Sequence, residues 1–403
     1  MKILWVKPGK LLPLDSGGKL RTYNIVRHLS MNHPLMFLSY YGGNRDLQYE
    51  QELLDQVPGA FPVHGATPST NGLERYLDYV LRLPSSVPYS VSRFTSAHVQ
   101  QLITGWISAQ RFDIAVCDFL ASTLNFPQEL AIPVILFQHN VESLLWRRRS
   151  QFETKWLNRL SAKIEYVKMS RFEPRQIRRF DHVFAVSDQD RDAMSGIVNR
   201  EDITVIPTGV DLTKFQYDPE PLPAAPLVVF SGSMDWAPNI DAVEYFCREI
   251  WPHVLARIPE ARFRIVGRDP HPRVRKLASA FVAVTGTVPS VVEHLREACV
   301  LVVPLRIGGG TRLKIYEGMA LGKATVSTRL GAEGLDVRHG HDILLADDPH
   351  LFAEYVTTLL RDEKTRRAYE SAATATAQKY DWSMVTEHLI AAMRRVVADP
   401  AYA

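Results

Sequence analysis

Three cysteines (Cys117, Cys247 and Cys299) in 403 residues are too few and too scattered for a disulfide framework. No Cys-x-x-Cys pair offers a zinc or redox site. The three read as small apolar core residues in a reducing compartment. No apolar run approaches the ~18 residues that a membrane-spanning helix needs. The opening Met1-Lys-Ile-Leu-Trp-Val-Lys7 holds four apolar residues between two lysines, too few for the core of a signal peptide. It is expected to be the buried first strand of a cytoplasmic protein. No Gly-x-Gly-x-x-Gly follows that strand, which argues against dinucleotide redox chemistry. Gly318-Met-Ala-Leu-Gly322-Lys323-Ala324 is one residue short of a P-loop and carries Ala324 where a magnesium-binding hydroxyl is needed.

What is present is the composition of a folded, water-soluble chain: 46% hydrophobic, 23% charged, mean hydropathy −0.11. At about 150 residues per domain the length accommodates two or three domains. Apolar runs recur at Ile3–Val6, Leu35–Leu38, Ile114–Cys117, Val134–Phe137 and Val183–Val186. A second series follows at Leu227–Phe230, Phe263–Val266, Val300–Val303 and Ala324–Ser327. Runs of this length suit strands buried on both faces. Helical patterns lie between them, at Lys19–Ser30, Ala242–Arg257, Ser290–Ala298, Leu313–Leu321 and His350–Leu360. The alternation predicts α/β architecture, with parallel sheets covered by helices. Tyr217–Pro226 has four prolines in ten residues and reads as a stiff linker. Two Rossmann-like domains facing a central cleft are therefore expected: residues 1–212, a linker over 213–226, then 227–383. The terminal helical stretch, 384–403, could return to the first domain.

Net charge is only +3, but it is unevenly placed: Arg147 to Arg179 holds eleven basic residues against three acidic ones. Leu144, Leu145, Trp146, Phe152, Trp156, Leu157 and Leu160 are interleaved with that charge. Such a stretch fits a helix lying on an anionic membrane surface, or else a solvated helical hairpin whose aromatics pack on their own domain. No nucleic-acid recognition motif accompanies the charge.

Pro304–Gly322 concentrates the chemistry. A strand runs into Gly308-Gly309-Gly310 and a helix opens near Thr311. Glycines allow close backbone approach, and a helix amino end favours an anion. Arg312 and Lys314 add positive charge, and Glu317 can accept from vicinal hydroxyls such as those of a ribose. Together they suggest a nucleotide diphosphate; the plain alternative is a turn before a solvated helix. Ser16-Gly17-Gly18 is a weaker glycine site between the first strand and its helix. His139, in Phe137-Gln-His-Asn-Val-Glu142, stands at a strand's carboxyl end, where ligands bind in open α/β sheets. It could act as acid, base or hydroxyl binder, or be a hydrogen-bonded structural histidine. Asp188-Gln-Asp190 has the spacing of a metal-binding Asp-x-Asp, but after Ser187 it reads as a capped helix start.

In order and spacing these segments resemble glycosyltransferase family 4, the retaining enzymes of GT-B fold, over nearly the whole chain. The matching pieces include Ser16-Gly17-Gly18, Val183–Asp188, Val205–Asp211, Phe230-Ser-Gly-Ser233, Ile265–Gly267, Val284–Val288 and Gly308–Gly322. The resemblance implies an acceptor-side first domain and a second domain that binds the nucleotide sugar. It implies donor-binding roles for Gly17, Gly18, Gly232, Ser233, Thr287, Val288, Gly309, Gly310, Thr311, Leu313 and Glu317. His139 matches the histidine expected beside the sugar. Glu317 matches the second glutamate of the family's E-x7-E motif, whereas Gly309 stands at the first. The basic pair usual after the second domain's first strand is missing from Gly232–Asn239, so Arg312 and Lys314 are expected to supply the phosphate charge.

The expected function is sugar transfer from a nucleotide diphosphate sugar to a glycan or lipid-linked acceptor hydroxyl, in cell-surface or exported polysaccharide or glycolipid synthesis. No metal and no cofactor beyond the co-substrate is expected, and no nucleic-acid partner. A cytoplasmic location is expected, with peripheral contact to the inner face of the cell membrane through 144–179. The alternatives are a nucleotide-sugar 2-epimerase of the same fold and a non-catalytic nucleotide-sugar binding protein.

Overall fold

The computed structural model describes residues 1–67, 72–153, 155–218, 226–308 and 313–399. Gly309, Gly310, Thr311 and Arg312, with most of the proline-rich stretch, lie outside the described residues.

Two compact units divide the chain: Met1–Pro207 with the segment from Trp382 onward, and Thr208–Asp381. In the first, among the described residues, seven strands form a parallel sheet in the order β3-β2-β1-β4-β5-β6-β7. They are β1 (Ile3–Pro8), β2 (Leu35–Gly42), β3 (Ala60–Thr67), β4 (Ile114–Asp118), β5 (Val134–Phe137), β6 (His182–Ala185) and β7 (Ile203–Val205). In the second, six strands form another in the order β10-β9-β8-β11-β12-β13. These are β8 (Leu227–Ser231), β9 (Arg262–Val266), β10 (Val282–Val284), β11 (Val300–Val303), β12 (Ala324–Ser327) and β13 (Leu344–Leu345). Both are Rossmann-like α/β sheets, as the strand–helix alternation predicts.

The strands read from the sequence are found, with ends shifted by a few residues. Every residue of β1, β4, β5, β8, β11 and β12 is buried, which is what an apolar run covered on both faces requires. The stretch expected as one helix over 242–257 is helical throughout but carries a π-helical turn at Phe246–Ile250. Pro252 follows that turn; it has no amide to donate and its ring would crowd the carbonyl of Arg248 in a regular helix.

The break between units falls at Pro207, ahead of the proline-rich stretch. Residues from Thr208 belong to the second unit because Val210 donates its amide to Tyr380 O (2.7 Å), and Val210 and Phe215 join that unit's core. The final helix, Trp382–Ala398, lies in the first unit against the helix Gly17–Asn32 and buries Leu389, Met393 and Val396.

In the second unit the ends of β8 and β9 touch backbone to backbone. A methyl group on Gly267 would stand 1.7 Å from Gly232 O, so only glycine permits this approach. Gly267→Ala is expected to cost about 2–3 kcal/mol, lowering the thermal midpoint by roughly 4–10 °C in calorimetry. Gly196→Ala, at an open position inside the helix Asp188–Val198, should leave the midpoint level or slightly raised. An unchanged midpoint for Gly267→Ala would contradict the close approach.

Candidate functional site

Polar side chains collect at the carboxyl ends of both sheets, and each unit carries its own cluster. In the second unit, Gly232 and Ser233 follow β8, Thr287 and Val288 follow β10, and residues 304–308 follow β11. All these strands run parallel, so the three segments share one edge of the sheet. The helix Leu313–Ala320 buries Ile315, Tyr316, Met319 and Ala320, which turns Lys314 and Glu317 together to the other face. Gly318 lets this helix close on β11: a methyl there would meet Leu301 Cδ2 at 2.3 Å.

Lys314 reaches the end of β8. Its ammonium donates to Asn239 Oδ1 (3.1 Å) and stands 4.1 Å from the centroid of the Phe230 ring. A methyl on Gly232 would come within 2.8 Å of Lys314 Nζ and 2.7 Å of Asn239 Nδ2. Asn239 is itself held by donating to Ser233 O (2.8 Å). A lysine from the later helix thus occupies the ground beside the β8 loop. The Ser233 side chain is engaged locally: it donates to Asp235 Oδ1 (2.5 Å) and accepts from Arg268 Nε (3.0 Å). Glu317 is half-buried, and no hydrogen bond reaches its carboxylate among the described residues. Burial lifts its pKa above the carboxylate range, against the pull of Lys214 and Lys314. Thr287 is exposed, while Val288 packs against the unit's core.

In the first unit the structure brings Gly18 and His139 together. A methyl on Gly18 would meet Phe119 Cζ at 2.8 Å and His139 Nδ1 at 3.8 Å. Phe119, directly after β4, takes a left-handed conformation (φ 66°) and lays its ring flat on His139, centroids 3.9 Å apart. Such an outlier persists only where its surroundings hold it. Arg21 Nη1 donates to His139 Nδ1 (2.9 Å), so that nitrogen carries no hydrogen. Nε2 keeps the hydrogen and gives it to Asp118 Oδ1 (2.6 Å), while Thr22 Oγ1 donates to Asp118 Oδ2 (2.7 Å). Burial first, then Arg21 and Lys7, holds the imidazole pKa below its ordinary value despite Asp118. His139 is therefore a neutral bridge between an arginine and a carboxylate, with both nitrogens engaged and its residue only 3% exposed. Of its two sequence readings, the geometry matches the hydrogen-bonded structural histidine.

Asp118, Arg21, Thr22, Lys7 and Asn239 escaped the sequence reading. Lys7 is the penultimate residue of β1 and Asp118 the last of β4, each the charged member of an otherwise apolar buried strand, and that signal could have found them. Asp188-Gln-Asp190 is a helix start: Ser187 Oγ accepts from the Asp190 amide (3.1 Å) and donates to its carboxylate (2.6 Å). No metal-ligating cluster occurs among the described residues.

Residues 21–214 match the Glycosyltransferase Family 4 model and residues 225–362 match Glycosyl transferases group 1. The chain belongs to glycosyltransferase family 4. It is similar to a phosphatidyl-myo-inositol mannosyltransferase of Mycolicibacterium smegmatis, 28% identical over 47% of this chain and 51% of that protein. The Mycobacterium tuberculosis counterpart is 27% identical over 50% and 56%. An uncharacterised 44.6 kDa protein in the cps region of Klebsiella pneumoniae is 25% identical over 32% and 36%. The chain thus spans about a third to just over half the length of the curated relatives it matches. Among solved structures it is similar to sucrose-phosphate synthase from Thermosynechococcus elongatus (TM-score 0.72, 15% identity, 99% of both chains). Anabaena HepE in complex with UDP-glucose also matches (TM-score 0.64, 15% identity, 98% of this family-4 chain and 100% of that one). These likenesses carry the GT-B fold.

The loop after His139 holds a second titrating group. Glu173 is fully buried and accepts from the amides of Glu142 (2.7 Å) and Ser143 (3.0 Å) and from Gln138 Nε2. Burial and the Glu173 charge push the neighbouring Glu142 up to about 7. A carboxyl raised on folding stabilises below about pH 4.5, and that contribution is lost as pH rises through 7. Glu142→Gln should therefore melt about 2–4 °C above the wild type at pH 8 and lose that advantage near pH 4.5, read by fluorescence melting. A constant offset across the range would remove Glu142 as the cause.

Proposed function

We propose that this family-4 protein transfers a sugar from a nucleotide diphosphate sugar to an acceptor hydroxyl, with retention at the anomeric carbon and no resident metal. The observation that carries the reading is Lys314 set against Gly232, with Glu317 one turn on, at the carboxyl edge of the second sheet. Lys314, with Arg312 and the amides of Gly309, Gly310 and Thr311, receives the diphosphate, and Glu317 accepts from the ribose hydroxyls. Departure of the nucleoside diphosphate builds negative charge on its terminal phosphate, and these cations and amides would stabilise that charge. Retention follows the family. His139 acts by holding Arg21 and Asp118, not as acid or base. Support for the donor comes from HepE, whose structures hold UDP and UDP-glucose. Support for hexosyl transfer to a lipid-linked acceptor comes from the phosphatidyl-myo-inositol mannosyltransferases, and support for polysaccharide synthesis from the cps-region relative.

Thermal-shift screening against UDP-, GDP- and ADP-sugars tests the donor, since a ligand of the native state raises the midpoint. One series is expected to stabilise the wild type, and Lys314→Ala and Arg312→Ala to weaken its binding by at least about tenfold. Unchanged donor affinity in both variants would overturn the phosphate assignment. Conversion of the sugar nucleotide without acceptor would identify an epimerase, and binding without turnover across an acceptor panel a binding protein.

The acceptor reading extends to a membrane surface. No helix among the described residues is long and apolar enough to cross a membrane. The helices Glu142–Phe152 and Trp156–Arg179 instead expose Phe152, Trp156 (71% exposed), Leu157 and Leu160 among their arginines and lysines. Exposed aromatics beside basic charge give the two signals that stable peripheral binding needs. The protein is expected to float with phosphatidylglycerol vesicles and not with phosphatidylcholine alone, and Trp156→Ala with Leu157→Ala to reduce the floating fraction. Absence from anionic vesicles would sink the membrane contact.

A further inference from the structure

Asn239 lies in the first turn of the helix Ala237–Tyr245 and is only 3% exposed. A buried side-chain amide must place both of its ends, since either end left unpaired is costly. Its Nδ2 donates to Ser233 O (2.8 Å) and its Oδ1 accepts from Lys314 Nζ (3.1 Å). Turned the other way, it would set its NH2 against an ammonium and its oxygen against a carbonyl oxygen. The two partners therefore fix which way the amide faces.

The donating end is tied to a firm base. The loop after β8 is pinned on each side of Ser233: Gly232 donates its amide to Val266 O (2.9 Å), and Met234 donates its own to Arg268 O (2.9 Å). Met234 is fully buried, and the backbone amide of Asn239 donates to Trp236 O (3.0 Å). The accepting end thus stands at a defined point beside Gly232. There the Lys314 ammonium is held from two directions, by Asn239 Oδ1 and by the Phe230 ring, whose centroid is 4.1 Å away. A long lysine side chain gives up rotamer freedom when a ligand fixes it, so one fixed beforehand binds more tightly.

The chemistry of the holder matters as well. Two nearby arginines of this unit are held by carboxylates, Arg273 by Glu244 and Arg306 by Asp241. A carboxylate that fixes a cation also cancels much of its pull on an anion. An amide oxygen and an aromatic face carry no full charge, so they fix the ammonium without cancelling it.

We propose that Asn239 is a positioning residue for the donor, holding the Lys314 ammonium beside Gly232 for the terminal phosphate of a nucleoside diphosphate. The proposal rests on the assignment of Lys314 to the diphosphate and adds the residue that acts through it.

Isothermal titration of the full chain with UDP, GDP and ADP finds the nucleotide that binds, and a double-mutant cycle with that nucleotide tests the proposal. Asn239→Ala and the similar-sized Asn239→Leu are each measured alone and combined with Lys314→Ala, and every variant is melted without ligand. With Lys314 present, each is expected to lower nucleotide affinity about tenfold, the size of a lost hydrogen bond to a charged group. In the Lys314→Ala background the same changes are expected to shift affinity by less than about twofold, because the group they act through is gone. An asparagine that merely supports the loop would weaken binding equally in both backgrounds, and that additivity would overturn the proposal. Wild-type affinity in both single Asn239 variants would overturn it too, while a loss in Lys314→Ala alone leaves the diphosphate assignment standing. Wild-type affinity in Lys314→Ala, or no binding of any of the three nucleotides, would remove the diphosphate assignment and the positioning role with it.

Discussion

Every strand in both sheets runs parallel, and that constraint organises the chemistry. A parallel sheet is covered by helices on both faces, so its strands must be apolar almost to the end. Polar side chains therefore gather where strands leave the sheet, and all strands leave on one edge. Lys7, Asp118 and His139 stand at or just beyond the ends of β1, β4 and β5. Gly232, Gly267 and Gly308 follow β8, β9 and β11 in the same way. The fold places its polar groups together before any of them is chosen for a task.

The two edges use this concentration differently. In the first unit the groups are nearly saturated: arginine, imidazole, carboxylate and threonine hydroxyl satisfy one another in a buried chain. Such a chain fixes the position of each member, because any shift leaves a buried polar atom unpaired. In the second unit the contacts are sparser. Lys314 reaches across to Asn239 beside Gly232, and Glu317 half-emerges nearby. A saturated network suits a rigid wall, and a sparse one suits groups that must meet a ligand.

The legibility of the sequence follows the same physics. The nine apolar runs are all interior strands, because burial on both faces writes an unbroken run. The four strands that left no such run, β3, β7, β10 and β13, are the edges of the two sheets. Their residues are partly exposed, as in β3, so the signal is diluted to alternation over a few positions. Among the candidate site residues, Gly18 and Glu317 stood out because glycine and charge beside a buried strand are locally unusual, and Gly232 through the family resemblance alone. The partners of His139 were not, since Arg21, Asp118 and His139 are far apart in sequence and are joined only by the crossovers of the sheet. The unit boundary was also misplaced. Prolines mark where a chain is stiff, whereas the hydrogen bond from Val210 to Tyr380 decides where the second unit begins.

The last helix gives the first unit a sequence history unlike that of the second. Thr208–Asp381 is continuous, but the first unit needs Trp382–Ala398 to cover the helix Gly17–Asn32. During synthesis the second unit can therefore complete its sheet while the first, although begun earlier, still waits for its closing piece. Until then the outer side of Gly17–Asn32 stays uncovered on the ribosome. The element that carries Gly17, Gly18 and Arg21 is thus seated only after Trp382–Ala398 has been made.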